Sequence, residues 1–194
     1  VVGVYTVTYN VSDGNGHDAA EMVRVVTVSD TTKPAIALTG SPTVTVECSG
    51  TYTDAGATAS DVCAGNLTGS IVTVNPVNPA VVGVYTVTYD VNDGYNNADQ
   101  VVRIVTVSDT VKPVIVRNGS ATVTLECPAT YVDAGATASD ACAGNLTSSI
   151  AVTNPVNGSA PGTYTVRYNV SDGYNAAVEV VRTVTITDTK KPVI

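Results

Sequence analysis

Residues 82–91 read Val-Gly-Val-Tyr-Thr-Val-Thr-Tyr-Asp-Val, and their pattern decides the fold. In an extended chain Tyr85, Val87, Tyr89 and Val91 fall on one side, and Thr86, Thr88 and Asp90 on the other. Such period-two alternation predicts a strand with one buried face and one wet face. The stretch recurs, as GVYTVTY from Gly3, GVYTVTY from Gly83 and GTYTVRY from Gly162. Asp30, Asp109 and Asp188 each open a D-T-x-K-P string, at a spacing of 79. Residues 31–109 and 110–188 align without gaps at 50 identical positions of 79. That period exceeds the roughly 20–45 residues of a solenoid unit and suits a small sandwich domain with its own core.

The registration divides the chain into 1–29, the C-terminal half of one repeat; 30–108 and 109–187, two whole repeats; and 188–194, the start of another. The sequence therefore reads as a window on a longer array. A half sandwich leaves an unpaired edge and an open core, so strands from elsewhere are expected to complete 1–29.

Composition supports an all-β class. The 194 residues hold no Phe or Trp, one Met and ten Tyr, and they are rich in Val and Thr. These side chains fit a pleated, half-buried surface. Within 30–108, strands are expected at 35–38, 43–48, 70–74, 82–91 and 100–107, with a short extended piece at 51–53 and a loop of small residues at 54–61. Asn92 to Asn97 is a hairpin of turn formers. Six or seven short strands per 79 residues, with turns about every ten, give tandem Ig-like or fibronectin-like β-sandwiches. The net charge of −8, with nine Lys and Arg, argues against nucleic acid. No apolar run approaches the ~18 residues of a membrane span.

The longest near-invariant segment runs VECSGTYTDAGATASDVCAGNLT at 46–68 and LECPATYVDAGATASDACAGNLT at 125–147. Each copy carries two cysteines fifteen apart, Cys48 and Cys63, then Cys127 and Cys142. Pairs in register argue for disulfides Cys48–Cys63 and Cys127–Cys142 in an oxidising compartment. Free thiols and zinc are the alternatives; zinc takes four ligands and each repeat offers two sulfurs and no His. Asp54, Asp61, Asp133 and Asp140 recur in register, and with the linker residue Asp109 they form a candidate calcium set, because Ca²⁺ takes six to eight oxygens. The structural alternative is that these carboxylates bind loop amides. His17, the one histidine, lies in a turn and gives no catalytic triad. No enzyme activity and no obligatory cofactor are expected. Tyr95 and Tyr174, at hairpin tips, are placed for contact with another molecule, and a strand tyrosine is expected to bond a backbone carbonyl. Asn10, Asn66, Asn118, Asn145, Asn157 and Asn169 stand in N-x-S/T strings, acceptors for glycan if the source glycosylates Asn.

The strings DTTKPAI, VTVEC, TYTDAGATASD, CAGNLTGSI and GVYTVTYDVNDGYNNA resemble bacterial surface Ig-like repeats related to the Ig-like domain of insecticidal crystal proteins. They are also similar to hyalin repeats, which carry a comparable cysteine pair. The resemblance spans the chain and implies tandem Ig-like domains on a secreted or cell-surface protein, with adhesive or spacing roles. The chain departs from many relatives at Asp61-Val62-Cys63-Ala64-Gly65-Asn66, where they carry an acidic D-x-D-G-D-L cluster. The functional expectation is a structural or adhesive region of a long extracellular or cell-surface protein, partnered by neighbouring repeats or subunits and by a surface glycan or protein. Two alternatives are a self-assembling filament completed by a neighbour's strands, and an accessory or carbohydrate-binding module of a secreted hydrolase.

Overall fold

The computed structural model describes residues 1–192, so the stub at 188–194 lies partly outside the described residues. Contacts divide the protein into two compact units. One comprises Val1–Val44, Thr53–Val77 and Tyr85–Val105; the other comprises Thr45–Tyr52, Asn78–Val84 and the chain from Thr106 on.

Among the described residues every regular element except two single-turn 3₁₀ segments is a strand. The leading segment forms β1 (Gly3–Tyr9) and β2 (Met22–Val28), an antiparallel pair. The first whole repeat supplies β3 (Ala35–Leu38), β4 (Thr43–Glu47), β5 (Ala57–Asp61), β6 (Gly65–Asn66), β7 (Val72–Val74), β8 (Gly83–Asp90) and β9 (Val101–Ser108). The second supplies their counterparts β10 (Val114–Arg117), β11 (Thr122–Glu126), β12 (Ala136–Asp140), β13 (Gly144–Asn145), β14 (Ala151–Thr153), β15 (Gly162–Asn169) and β16 (Val180–Thr187). The 3₁₀ turns are Thr68–Ser70 and Thr147–Ser149.

The second repeat is a seven-strand sandwich. One sheet orders β11-β16-β15-β14 and the other β10-β12-β13. Most pairs are antiparallel, but β11 runs parallel to β16, with Val123 opposite Val184 and Leu125 opposite Ile186. The alternation predicted from sequence holds: Val166, Tyr168 and Val170 are buried on β15 and its exit, as are Val87, Tyr89 and Val91 in the first repeat. The core joins Val166, Tyr168, Val170, Val184 and Ile186 to Ile115, Ala136 and Ala138 of the other sheet, with Leu125, Leu146 and Ile150 packed around them. Burying each Val or Ile contributes about 1.5–3 kcal/mol. Small alanines on β12 share this core with the fully buried ring of Tyr168. The first repeat has the same strand order in both sheets.

One sequence expectation changes. The segment expected as a loop at 54–61 contains β5, which pairs with β3 so that Ala59 faces Ile36. Alanine and serine have weak strand propensity, and pairing with a committed neighbour overrides it. The leading pair forms a two-stranded sheet of its own, and its apolar side chains are exposed. Val4, Tyr9, Val23 and Val25 are half or more exposed, whereas Tyr89, which occupies the place of Tyr9 in its repeat, is fully buried.

Candidate functional site

Two carboxylates expected as metal ligands serve the core instead. Arg182, on β16, shares a face with Val184 and Ile186 and is almost fully buried. Its Nη1 donates to Asp133 Oδ1, its Nη2 to the Asn118 carbonyl and its Nε to Ser120 O at 3.1 Å. The Tyr168 and Tyr131 hydroxyls also donate to Asp133 Oδ1, at 2.6 and 2.8 Å. The guanidinium carbon lies 5.8 Å from the Tyr168 ring centroid. Burial disfavours the Asp133 charge, but the two tyrosine hydroxyls and Arg182 outweigh it, and the carboxyl is held below its ordinary value. The first repeat builds the same network: Arg103 donates to Asp54 Oδ1 and to Thr39 O at 2.5 Å, and Tyr89 donates to Asp54 Oδ1 at 2.7 Å. Asp54 and Asp133 are thus occupied by cation and hydroxyl partners, which removes them from the candidate calcium set.

The remaining candidates fall in two separate clusters, Asp61 with the linker residue Asp30 and the hairpin residue Asp93, and Asp109 and Asp140 with the hairpin residue Asp172. Asp109, Asp140 and Asp172 place one carboxylate oxygen each within 4.8 Å of one another, and Asp30, Asp61 and Asp93 do the same. Local structure divides each carboxylate's work. Asp140 Oδ1 accepts from the Cys142 and Ala143 amides at 2.7 and 2.9 Å, shaping the turn after β12. Asp172 Oδ1 accepts from the Tyr174 and Asn175 amides at 2.7 and 2.6 Å, shaping the β15–β16 hairpin. Asn175 Nδ2 then donates to the Asp109 carbonyl at 3.0 Å and anchors the linker. Asp61, Asp93 and Asn96 repeat these contacts. In both triads the second oxygen is left over: Oδ2 of Asp30, Asp61, Asp93, Asp140 and Asp172, and both oxygens of Asp109, are buried without a hydrogen-bond partner. Burial, then the Asp140 and Asp172 charges, push the Asp109 carboxyl above its ordinary value. Among the described residues no Lys, Arg or His forms an ion pair with any of the six.

The cysteines do not pair within a repeat. Cys48, at the end of β4, bonds Cys142 in the turn after β12; their Cα atoms are 5.4 Å apart and 94 positions separate them. Cys63 and Cys127 are free, Cys63 exposed and Cys127 partly buried. The expected Cys48–Cys63 and Cys127–Cys142 bridges are thereby replaced. The reason is local: β4 delivers Cys48 beside β9, where its amide donates to Ser108 O at 2.7 Å, and the Ser49 hydroxyl donates to Ala141 O at 2.8 Å. Both contacts lie in the unit that holds Cys142. The Glu47 carboxylate accepts from the Thr110 amide and hydroxyl at 2.8 and 2.7 Å, which ties the same strand end to the D-T-V-K-P linker.

The six candidate glycan acceptors, Asn10, Asn66, Asn118, Asn145, Asn157 and Asn169, are all exposed. Tyr164 and Tyr5 donate their hydroxyls to the carbonyls of Ala160 and Val1, at 2.9 and 2.8 Å, giving the expected tyrosine–carbonyl bond. No helix among the described residues is long and apolar enough to cross a membrane.

No curated protein matches the chain. Among solved structures, the lipoprotein BT2262 from Bacteroides thetaiotaomicron is 23% identical over 41% of this chain and 40% of its own, with a TM-score of 0.37. A structure of the CBM51-2 and INT domains of Clostridium perfringens ZmpB, with GlcNAc, is 29% identical over 40% of this chain and 17% of its own, with a TM-score of 0.32. Domains 4–9 of the surface layer protein SbsC are 14% identical over 96% of this chain and 36% of their own, with a TM-score of 0.25. The chain thus spans less than half the length of each. A family model described as bacterial surface protein, Ig-like domain, matches residues 36–107 and 115–186, one match to each sandwich. Those two segments make up most of the sequence, and the chain belongs to the family of bacterial surface protein Ig-like domains, in two tandem copies.

Proposed function

We propose that this segment is a structural spacer of an extracellular bacterial surface protein, in which each repeat is tied to the next by one disulfide. The observation that carries the reading is the Cys48–Cys142 bridge, which joins the first cysteine of one repeat to the second cysteine of the following one. A shift of 79 positions maps Cys48 onto Cys127 and Cys63 onto Cys142. Each free cysteine is therefore the equivalent of a bonded one. Cys127 fits the second cysteine of a repeat on its C-terminal side, and Cys63 the first cysteine of a repeat on its N-terminal side.

The surroundings of Cys63 support this. It lines a cleft of about 290 Å³ with Val1, Val2 and Val28. Val28 precedes Ser29, whose counterpart Ser108 receives the Cys48 amide in the bonded pair. A cysteine arriving at Ser29 as Cys48 arrives at Ser108 would meet Cys63. Persistent disulfides belong to an oxidising exterior, in keeping with the bacterial surface family.

Peptide mapping of the full-length protein under non-reducing conditions tests the reading. The expected result is a linked pair of peptides containing Cys48 and Cys142, with Cys63 and Cys127 each linked to a cysteine of an adjacent repeat. A linked Cys48–Cys63 pair, or free thiols at Cys63 and Cys127 in the native protein, would overturn it. Filament assembly, with β1–β2 completed by strands of a neighbouring subunit, is the second reading. Sedimentation of the isolated chain separates the two: concentration-dependent growth supports the filament, and a monomer at all concentrations refutes it.

A further inference from the structure

We propose that the two aspartate triads, Asp30–Asp61–Asp93 and Asp109–Asp140–Asp172, are calcium sites, one at the start of each whole repeat. Three observations carry this. First, three carboxylate oxygens lie within 4.8 Å of one another in each triad, with no cationic side chain among them. Oxygens bound about 2.4 Å from one ion are at most about 4.8 Å apart, so these three are close enough to share one ion. Second, Asp109 is nine-tenths buried, and neither of its carboxylate oxygens has a hydrogen-bond partner. Buried charges are ordinarily paired or coordinated to a metal. Third, the arrangement is duplicated. In both repeats Oδ1 of the turn aspartates is used up by backbone amides, while Oδ2 is buried without a partner.

The chemistry of the donors selects the ion. An all-oxygen, all-carboxylate set with no His or Cys suits a hard cation. Three carboxylates without an enclosing octahedron suit Ca²⁺, with its flexible coordination number, better than Mg²⁺. Backbone carbonyls and water would complete the shell. The ion would join three pieces of one repeat: the first residue of the linker, the turn after β5 or β12, and the β8–β9 or β15–β16 hairpin. In the second repeat, the turn that supplies Asp140 also supplies Cys142 of the bridge.

The test is calorimetric titration of the intact chain, stripped with chelator, against calcium chloride, alongside melting with calcium and with chelator. The expected result is two sites per chain, in the 10⁻⁴–10⁻³ M range of extracellular modules, and a higher melting temperature in calcium. Asp109→Asn should remove one site and Asp30→Asn the other. In chelator, Asp109→Asn should raise the melting temperature, because it removes one of three crowded charges, and it should cancel the calcium response of its repeat; a carboxylate with a purely structural role would instead lower the melting temperature when replaced. Asp99→Asn, which alters an exposed carboxylate paired with Lys33, should leave both sites intact. Three results would overturn the proposal: no heat and identical melting with calcium and chelator, binding that survives the Asp30→Asn Asp109→Asn double variant, or magnesium binding as tight as calcium. If a variant fails to fold, the parent's response to calcium and chelator still decides.

Discussion

Replacing Asp133 by alanine strips the buried guanidinium of Arg182 of its carboxylate partner. Arg182 is 1% exposed, and the Asp133 side chain is 15% exposed, so little water is available to take over. The Tyr131 and Tyr168 hydroxyls lose their acceptor in the same step. Breaking a buried ion pair by removing one partner costs about 3–5 kcal/mol, chiefly through the charge left behind. Arg182→Met should cost a similar amount, because it leaves Asp133 charged and frees the Ser120 and Asn118 carbonyls. The double variant removes both charges, and its loss should fall short of the sum by at least about 2 kcal/mol. For a domain this small, about 3 kcal/mol corresponds to a drop of roughly 12–24 °C in melting temperature. Urea unfolding of parent, single and double variants, followed by circular dichroism, measures the cycle. An Asp133→Ala variant within about 1 kcal/mol of the parent, or strictly additive losses, would refute the network as a buried, coupled pair.

Two further outcomes follow from the geometry. Asp133 is held below its ordinary 3.8 by its hydroxyl and guanidinium partners, so its stabilisation is complete above that value and is lost as pH falls through the lower folded one. Urea midpoints taken from about pH 5 down to about pH 2 should fall more steeply for the parent than for Asp133→Asn; parallel profiles would contradict this assignment. A Cβ at Gly158 would lie 1.8 Å from the Ala129 carbonyl oxygen. Gly158→Ala must therefore shift backbone and should lose about 1–3 kcal/mol, read as a lower urea midpoint; an unchanged midpoint would show that this loop is slack.

What could be read in the sequence divides along physical lines. Tyr85 to Val91 announced a half-buried strand because period two leaves no other placement for two tyrosines and two valines. The strand at Ala57–Asp61 was hidden, because A-T-A-S has little propensity of its own and depends on pairing with β3. Arg103 and Arg182 left a signal that went unread: each stands in register with the inward valines of its strand, so it had to be buried and had to find a carboxylate. Asp93 and Asp172 were concealed by doing two things at once. Their Oδ1 atoms perform the turn chemistry that Asn-Asp-Gly or Ser-Asp-Gly advertises, and only the folded hairpin brings each residue beside two other carboxylates. The cysteines could not be assigned because a tandem repeat presents every cysteine with chemically identical candidates. Spacing of fifteen made the partner within the repeat the obvious choice, while the direction of β4 carries Cys48 toward the next repeat.

The offset of that bridge governs how the chain would respond to tension. Pulled from its ends, a chain with Cys48 bonded to Cys142 cannot release the 94 positions between them, a contour of roughly 310–340 Å at 3.3–3.6 Å per residue. If the same offset runs through an array, the covalent route enters a repeat at its second cysteine and leaves from its first. It crosses fifteen positions rather than 79, roughly 50–54 Å against 260–284 Å. Each sandwich then hangs beside the taut path instead of forming part of it. Such a strand reaches its limit of extension early, whether or not its domains have unfolded. A cut in any loop that the bridge bypasses leaves the two ends joined.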